Sequence, residues 1–396
     1  MPLGLYISVP FCRTKCTYCN FSSDVSPKTL FQPYVDRACR DLEQARSIAE
    51  QMGGQFEHAV DTIYLGGGTP TILDIWQLQQ IFVTISQNFD VLPEAEITVE
   101  CAPGTITPAL LDALPRFGVN RVSLGVQSFV DREAAWVGRL HKLETVLDNV
   151  SRLRAGGIGN INIDLIAGLP GQFEDSWNFS LEQAIATEAP HLSIYMLEVD
   201  RDSRLGRELI AGGTKYHAHF VPDEDLTADL YICACERMEE ASVRQYEISN
   251  FARTAHESRH NLKYWTRQPY LGFGVDAHSM LRLNAHANRE ACGVRFSTPD
   301  SLQAYLGGDR PTPTFVNEKA ALEETFFLGL RLINGVDLAS VSACFGRHFV
   351  AEFQPAITEM LDAGLLQQHE NVLRLTSRGR LLSNEVFERF INTSVA

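Results

Sequence analysis

Strand-like and helix-like segments alternate through the first half of this 396-residue chain, and this alternation limits its folds more than any other feature. Apolar and β-branched runs predict strands at residues 5–9, 62–65, 96–100, 121–126, 160–166 and 191–197. Helical periodicity between them includes 34–52, 75–89, 108–117 and 174–187. Repeated βα units predict a parallel sheet, either a partial barrel or a doubly wound sheet. A complete barrel needs about 250 residues, and the alternation weakens after Leu197.

Three cysteines, Cys12, Cys16 and Cys19, follow the first predicted strand. A loop this short can direct three thiolates to one small volume, and thiolates bind zinc and iron–sulfur clusters. A structural zinc site takes four N or S ligands, so zinc would need a fourth ligand from elsewhere in the chain. In a 4Fe–4S cluster, three thiolates would leave one iron open to a substrate or cofactor.

The chemically distinctive residues follow the predicted strands at the same end of each unit. The second strand runs into Gly66-Gly67-Gly68-Thr69-Pro70, which matches neither a Rossmann fingerprint nor a P-loop. Glu100, Gln127 and Asp164 lie at the ends of three later strands. Because ligands in α/β folds bind outside the carboxyl ends of the strands, these stretches predict one shared site.

These motifs, with Tyr18 and the lead-in Tyr6-Ile7-Ser8-Val9-Pro10-Phe11, resemble the radical S-adenosylmethionine (SAM) superfamily. The resemblance covers nearly the whole chain and is strongest to the subfamily of oxygen-independent coproporphyrinogen oxidase and the heme chaperone HemW. It implies an α/β fold, a partial (β/α)6 barrel followed by a small, mostly helical, winged-helix-like domain. It also implies a 4Fe–4S cluster on Cys12, Cys16 and Cys19, whose open iron binds the amino and carboxylate groups of SAM.

The same resemblance assigns further residues to SAM. An isolated acid at a strand end would ordinarily cap a helix or face solvent, so only the family context makes these residues ligands. Arg139 would pair with the SAM carboxylate, a task suited to the guanidinium fork. The implied SAM-binding residues are Tyr6, Tyr18, Gly67, Gly68, Thr69, Glu100, Gln127, Arg139 and Asp164.

A second block, His260-Asn261-Leu262-Lys263-Tyr264-Trp265, resembles the HNxxYW motif of HemW. Histidine is a common ligand of heme iron, and Tyr264 and Trp265 could bury the macrocycle. We therefore predict that His260 ligates heme, the alternative being a packed aromatic corner.

Two differences within the subfamily favour a heme chaperone. The oxidase has a longer arm before its cluster and a fourth cysteine two positions after the third, whereas here 11 residues precede Cys12 and position 21 is Phe. The expected function is heme binding and transfer to an unidentified acceptor protein, with decarboxylation of coproporphyrinogen III as the alternative. The resemblance identifies no catalytic residue and leaves open whether the chain is an enzyme. Cleavage of SAM would require an electron donor.

Composition and charge limit which partners the chain can bind and indicate its cellular compartment. A net charge of −15 disfavours an RNA-modifying enzyme and predicts no nucleic-acid partner. No apolar run approaches the roughly 18 residues of a membrane span, and no secretory signal is visible. Nine cysteines, an odd number, suit a reducing compartment, so we expect a cytoplasmic protein. A homodimer is left open.

The chain is predicted to comprise three regions. These are the radical SAM partial barrel at 1–222, a subfamily-specific extension and linker at 223–316, and the winged-helix-like domain at 317–396. Residues 297–316, rich in Pro, Gly, Ser and Thr, are the expected linker.

The chain departs from the subfamily pattern at several positions, none of which is a cluster ligand. Ser8 replaces the usual His, and Asn20 replaces a common Asp. Ala102, within Cys101-Ala102-Pro103, stands where the family has Asn, and Val275-Asp276 replaces Pro-Gly.

Overall fold

The computed structural model describes residues 1–284, 291–309 and 311–391, and a twelve-stranded sheet forms its centre. The sheet order is β12-β11-β10-β9-β1-β2-β3-β4-β5-β6-β8-β7. The strands are β1 Leu3–Val9, β2 Ala59–Gly67, β3 Asp90–Cys101, β4 Arg121–Gln127, β5 Asn160–Ala167, β6 His191–Met196, β7 Arg244–Gln245, β8 Asn250–Ala252, β9 Tyr270–Gly274, β10 His278–Leu281, β11 Ala291–Ser297 and β12 Thr314–Asn317.

Helices connect these strands and form most of the C-terminal part. They are α1 Phe31–Glu43, α2 Ala45–Gln51, α3 Ile75–Asn88, α4 Pro108–Ala113, α5 Asp131–Trp136, α6 Leu143–Ala155, α7 Glu174–Ala186, α8 Arg204–Ile210, α9 Glu224–Glu240, α10 Arg259–Trp265, α11 Leu302–Gly307, α12 Glu318–Gly329, α13 Leu338–Phe345, α14 Arg347–Glu352, α15 Gln354–Asp362, α16 Ser377–Leu381 and α17 Ser383–Glu388. Short 3-10 helices cover Lys28–Leu30, Pro70–Ile72, Pro115–Phe117 and Lys215–Phe220.

Strands β1 to β6 confirm the predicted βα units. Their order also distinguishes a partial barrel from a doubly wound sheet. They are parallel and neighbour one another in chain order. A doubly wound sheet would instead reverse its strand order at a switch point. Right-handed crossovers that always advance in one direction place the helices on one face, so the other face lines the interior of a partial barrel.

The two faces of β4 show how the sequence builds this interior. Val122, Leu124 and Val126 are fully buried in the main hydrophobic core. Side chains alternate along a strand, so the residues between them face the other side. Arg121 and Ser123 are also buried, and they line the cavity described below. The barrel interior is therefore polar, whereas the face toward the helices is apolar.

The sheet extends beyond the six units on both sides. β9 is parallel to β1, whereas β10, β11 and β12 continue antiparallel. The expected linker, 297–316, differs from a free connection because it contains α11 and most of β12. Within it, Tyr305 is buried and its hydroxyl donates to Asp41 Oδ2 on α1 at 2.7 Å. Burial of these residues attaches the segment to the barrel, although its composition is typical of a linker.

The C-terminal part has its own hydrophobic core and a small antiparallel sheet. That sheet comprises β13 Val336–Asp337, β14 Leu366–His369 and β15 Val372–Leu375. The rings of Phe326 and Phe390 stack at 5.0 Å in the core. This confirms the predicted small, mostly helical domain, whereas the boundaries of the three regions stay predictions. Within the described ranges, no helix is long and apolar enough to cross a membrane.

The C-terminal part is attached to the barrel through backbone hydrogen bonds and ion pairs. Ile248 N donates to Arg331 O at 3.1 Å, and Glu324 on α12 pairs with Arg267 and Arg295, each at 2.9 Å. Arg331 reaches the barrel cavity from this junction.

Candidate functional site

A cavity of about 530 Å³ lies at the carboxyl ends of β1 to β6 and extends into the barrel interior. It brings together eleven of the thirteen residues predicted to bind the cluster, SAM or heme. They are Cys12, Cys16, Cys19, Tyr18, Gly67, Gly68, Thr69, Glu100, Gln127, Arg139 and Asp164. Tyr6 and His260 do not line it. Independent parts of the sequence therefore converge on one site, as the strand-end pattern predicted.

The cysteine loop is held in place by its surroundings on several sides. Cys12 N donates to Asp24 O at 3.0 Å, Thr17 N donates to Val137 O at 3.1 Å, and Leu205 N donates to Thr17 O at 2.7 Å. These bonds join the loop to the segment after α5 and to α8. The thiols are thus presented by a backbone that is fixed from outside the loop, which favours preorganised ligands.

The three cysteines fit an iron–sulfur cluster by donor type and number. All nine cysteines of the chain are free. Burial raises the pKa of the Cys12 thiol, and the neighbouring thiols of Cys19 and Cys16 raise it further. A local positive charge such as bound iron would therefore favour loss of the proton from Cys12.

The cysteine loop does not form a site for a single ion. Among the described residues, no group of three His, Cys, Asp or Glu side chains is arranged to hold one metal ion. In a 4Fe–4S cluster each of the three thiolates binds a different iron, so the sulfurs need not converge on one point.

The glycine run after β2 packs closely against the start of the cysteine loop. Gly68 N donates to Val9 O at 2.8 Å and Thr69 N donates to Phe11 O at 2.7 Å. A Cβ on Gly68 would lie 2.5 Å from Phe11 O, and Gly67 has a φ of +96°. Only glycine permits both the close approach and the left-handed conformation. This packing keeps the two loops adjacent on the cavity wall.

Two of the acidic residues that line the cavity, Glu100 and Asp164, come from strands β3 and β5. Burial and the neighbouring Asp164 raise the pKa of Glu100 to about 7. Burial also raises the pKa of Asp164, opposed by hydrogen bonds that include Asn162. Tyr64 donates to Glu100 Oε1 at 2.8 Å. These acids can accept hydrogen bonds from ligand amino or hydroxyl groups, and Glu100 can change its charge near neutral pH.

Arg139 joins the cysteine loop to the strand ends. Its Nη1 donates to Cys16 Sγ at 3.6 Å and its Nη2 donates to Gly125 O. Its Nε is buried without a partner among the described residues. An unpaired donor beside two occupied ones suits a ligand carboxylate, which is the role predicted for this residue. The neighbouring Gln127 has a φ of 71°, an uncommon conformation for a residue other than glycine.

His260 lies in the barrel interior and is 1% exposed. Its Nδ1 is 2.9 Å from Thr62 Oγ1 and its Nε2 is 2.7 Å from Tyr264 Oη. Burial, with Lys263 and Arg121 adding to it, lowers the pKa of His260 to about 3, so its ring is neutral. Ligation of heme iron through Nε2 would first require the Tyr264 hydroxyl to move away.

Tyr6 also does not line the cavity, although it faces the barrel interior between the core residues Leu5 and Ile7. Its ring is 6.1 Å from that of Tyr64 and 6.4 Å from that of His260. Burial raises the pKa of Tyr6, and the Glu100 charge raises it further. Tyr6 therefore packs next to Tyr64, which lines the cavity.

Sequence reasoning missed several cavity residues that lie deeper in the barrel. They are Tyr64, Arg121, Ser123, Asn162, Ser193 and Arg331, among others. Most lie within strands that were interpreted as apolar runs. The alternation Arg121, Ser123, Gly125 and Gln127 on β4 is the signal that could have located them, because these positions share a face.

Two departures from the family pattern make contacts beside the cysteine loop. Asn20 Nδ2 donates to Asp200 Oδ2, so an Asp at position 20 would place two like charges together. Asp276 has a φ of 54°, a conformation that favours glycine, and it accepts a hydrogen bond from Ser22 Oγ at 2.8 Å. Both departures therefore alter the packing around the loop without removing a thiol.

Two others lie close to the glycine run or on the cavity wall. Ser8 is buried, and its Oγ would be 2.8 Å from a Cβ at Gly67. Ala102 lines the cavity and adds no polar group there. Val275 is buried in the main core.

Comparisons with known proteins agree with this geometry. The family model described as Radical SAM superfamily matches residues 6–184, and the HemN C-terminal domain matches residues 316–382. The structure of coproporphyrinogen III oxidase (HemN) from Escherichia coli, described as a radical SAM enzyme, matches with a TM-score of 0.82. That match covers 98% of this chain and 90% of the other at 22% identity, which shows a shared fold.

Sequence similarity identifies the family within that fold. The heme chaperone HemW of Bacillus subtilis is 33% identical, covering 98% of this chain and 98% of the relative. The heme chaperone HemW of Lactococcus lactis is 31% identical, covering 98% of this chain and 97% of the relative. The chain therefore belongs to the HemW family of the radical SAM superfamily.

Proposed function

We propose that this chain is a heme chaperone that holds a 4Fe–4S cluster and SAM at the strand ends, binds heme and passes it to an acceptor protein. The observation that carries the proposal is its similarity to HemW chains over nearly their full length. The cavity supports the first half, because it gathers three free cysteines, a glycine loop and Arg139.

Different residues of the site would bind the cluster and SAM. Cys12, Cys16 and Cys19 would hold the cluster, which when bound anchors SAM and can deliver an electron to it. Arg139 would hold the SAM carboxylate through its guanidinium, whose Nε has no partner among the described residues. Glu100 would accept hydrogen bonds from SAM once deprotonated, and Tyr64 fixes the orientation of its carboxyl group. The protein supplies binding, orientation and exclusion of water.

The proposal also covers the ligand of the heme iron, the protein that accepts heme and the electron donor. His260 would ligate the iron after release of the Tyr264 hydroxyl, with Trp265 packed against the macrocycle. The heme acceptor is a second protein, and SAM cleavage would draw on an external electron donor. We further propose a cytoplasmic location, which the nine free cysteines support. We also propose that the chain can form a homodimer.

The alternative activity, decarboxylation of coproporphyrinogen III, can be tested directly. The protein is reconstituted anaerobically and supplied with SAM, a reductant and coproporphyrinogen III. We expect no decarboxylated product, because position 21 is Phe, a 64% exposed side chain on the cavity wall, where the oxidase has a cysteine. SAM-dependent release of carbon dioxide would instead make the chain an oxidase.

A further inference from the structure

We propose that Arg121 forms an anion site at the inner end of the cavity, which takes a carboxylate of the molecule bound there. The inference deepens the proposed function: if the chain binds heme, the group is a heme propionate. It rests on the buried guanidinium of Arg121, which has no ion-pair partner in the described part of the chain.

Arg121 is among the largest fully buried side chains of the described structure, at 2% exposure. It starts β4 and faces the barrel interior with Ser123, where both line the cavity. Its guanidinium makes no hydrogen bond or ion pair with any other described residue, and its Nε is fully enclosed. Lys263, which is also buried, differs because it pairs with Asp61 at 2.7 Å.

Three carboxyl groups of the barrel interior, those of Glu96, Glu100 and Asp164, are engaged by other donors. Glu96 accepts from the backbone N–H groups of Arg259 and His260, at 3.1 and 3.0 Å. Glu100 accepts from Tyr64, and Asp164 accepts from Asn162. None of them lies within ion-pair distance of Arg121. Arg121 therefore has no ion-pair partner among the described residues.

The remaining neighbours are neutral or aromatic. The Arg121 charge adds to burial in lowering the pKa of His191 and of His260, so both rings are uncharged. Both ring nitrogens of His191 already have hydrogen-bond partners. Its Nδ1 lies 2.6 Å from Asn162 Oδ1 and its Nε2 lies 2.9 Å from Tyr246 Oη. Thr98 and Asn160 flank Arg121 on the neighbouring strands, and their buried side-chain oxygens have no hydrogen-bond partner among the described residues. These oxygens are neutral acceptors, so they do not balance the charge of the guanidinium.

An uncompensated buried charge is costly, so its retention at a cavity wall points to a ligand anion. The guanidinium fork matches a carboxylate in shape and in its number of donors. Arg139 is assigned to the SAM carboxylate at the cysteine loop, whereas Arg121 starts the strand that ends at Gln127. Arg121 is therefore suited to a second anionic group, carried by a molecule that shares the cavity with SAM.

The test compares heme with its dimethyl ester, in which both propionates are esterified, by absorbance titration of the cluster-loaded protein. The wild type should bind heme roughly 10- to 150-fold more tightly than the ester, the range expected for a charge-assisted hydrogen bond. Arg121→Met should lower heme affinity to that of the ester and leave ester affinity unchanged. Arg121→Lys should restore part of the preference.

Arg152→Met is the matched control, because Arg152 is a half-exposed arginine outside the cavity and pairs with Asp148. It should bind heme and ester as the wild type does. Arg121→Met should unfold at the same temperature as the wild type or higher, because it removes an unpaired buried charge. A lower unfolding temperature for both Arg121 variants would mean that the guanidinium has structural partners, and would overturn the proposal.

The outcomes separate this inference from the proposed function. If Arg121→Met binds heme and ester as the wild type does, the anion site is wrong and the chaperone proposal stands. If the wild type binds neither, the chaperone proposal fails, and propionate becomes the probe in a thermal-shift titration. Stabilisation by propionate that is lost in Arg121→Met would retain the site for a free carboxylate. An equal shift in both proteins, or none in either, would overturn it.

Discussion

Glu100 provides a test of the cavity's electrostatics. The pKa of its carboxyl group rises from the ordinary 4.5 to about 7, first through burial and then through the neighbouring Asp164. A carboxyl group with a higher pKa in the folded chain binds protons more readily when folded. Its contribution to stability is therefore full below the unfolded-state pKa and is lost as the pH rises through 7.

The expected loss follows from the two pKa values. Each pKa unit corresponds to about 1.4 kcal/mol, so the free energy of unfolding should fall by at most about 2 kcal/mol between pH 5.5 and 8 through this group. Glu100→Gln has no such titration, and its side-chain carbonyl can still accept from the Tyr64 hydroxyl. The free energy of unfolding of Glu100→Gln, relative to that of the wild type, should therefore rise by up to about 2 kcal/mol from pH 5.5 to pH 8.

Urea unfolding of both proteins at pH 5.5 and pH 8, without added SAM, measures this difference. Glu239→Gln on the exposed face of α9 is the matched control and should show no comparable change. A stability difference between Glu100→Gln and the wild type that is the same at both pH values would refute the reasoning.

Three further predictions concern the bound groups. Replacing Cys12, Cys16 and Cys19 together with Ala should abolish the brown absorbance and leave less than about one iron per chain; full iron retention would contradict the cluster assignment. Arg139→Ala should weaken SAM binding roughly 10- to 150-fold through loss of a charge-assisted bond, and calorimetry showing unchanged affinity would contradict that role. If His260 ligates heme, His260→Gln should shift the Soret band while the cluster absorbance stays. An unchanged band would place the ligand elsewhere.

The sequence predicted the parts of the molecule that local pattern determines. The six strands and the convergence of their carboxyl ends follow from alternation and from the position of the cysteine and glycine loops. The structure of 297–316 could not be predicted in this way, because its attachment depends on the contact between Tyr305 and Asp41, which are 264 residues apart.

The polar interior was missed for a similar reason. Arg121 and Tyr64 lie in strands whose other residues are apolar, and only the curvature of the sheet decides that they face one cavity. The surroundings of His260 likewise depend on Thr62, which is 198 residues away. A motif in the sequence identifies a residue type suited to heme iron, but it does not show whether the ring nitrogens are free.

Equilibrium titration of the anaerobically reconstituted protein with heme tests the central claim most directly. The chaperone account predicts a saturable absorbance change with a stoichiometry of about one heme per chain, and heme that stays with the protein through gel filtration. Absence of saturable binding by a protein that carries its full complement of cluster iron would contradict the account.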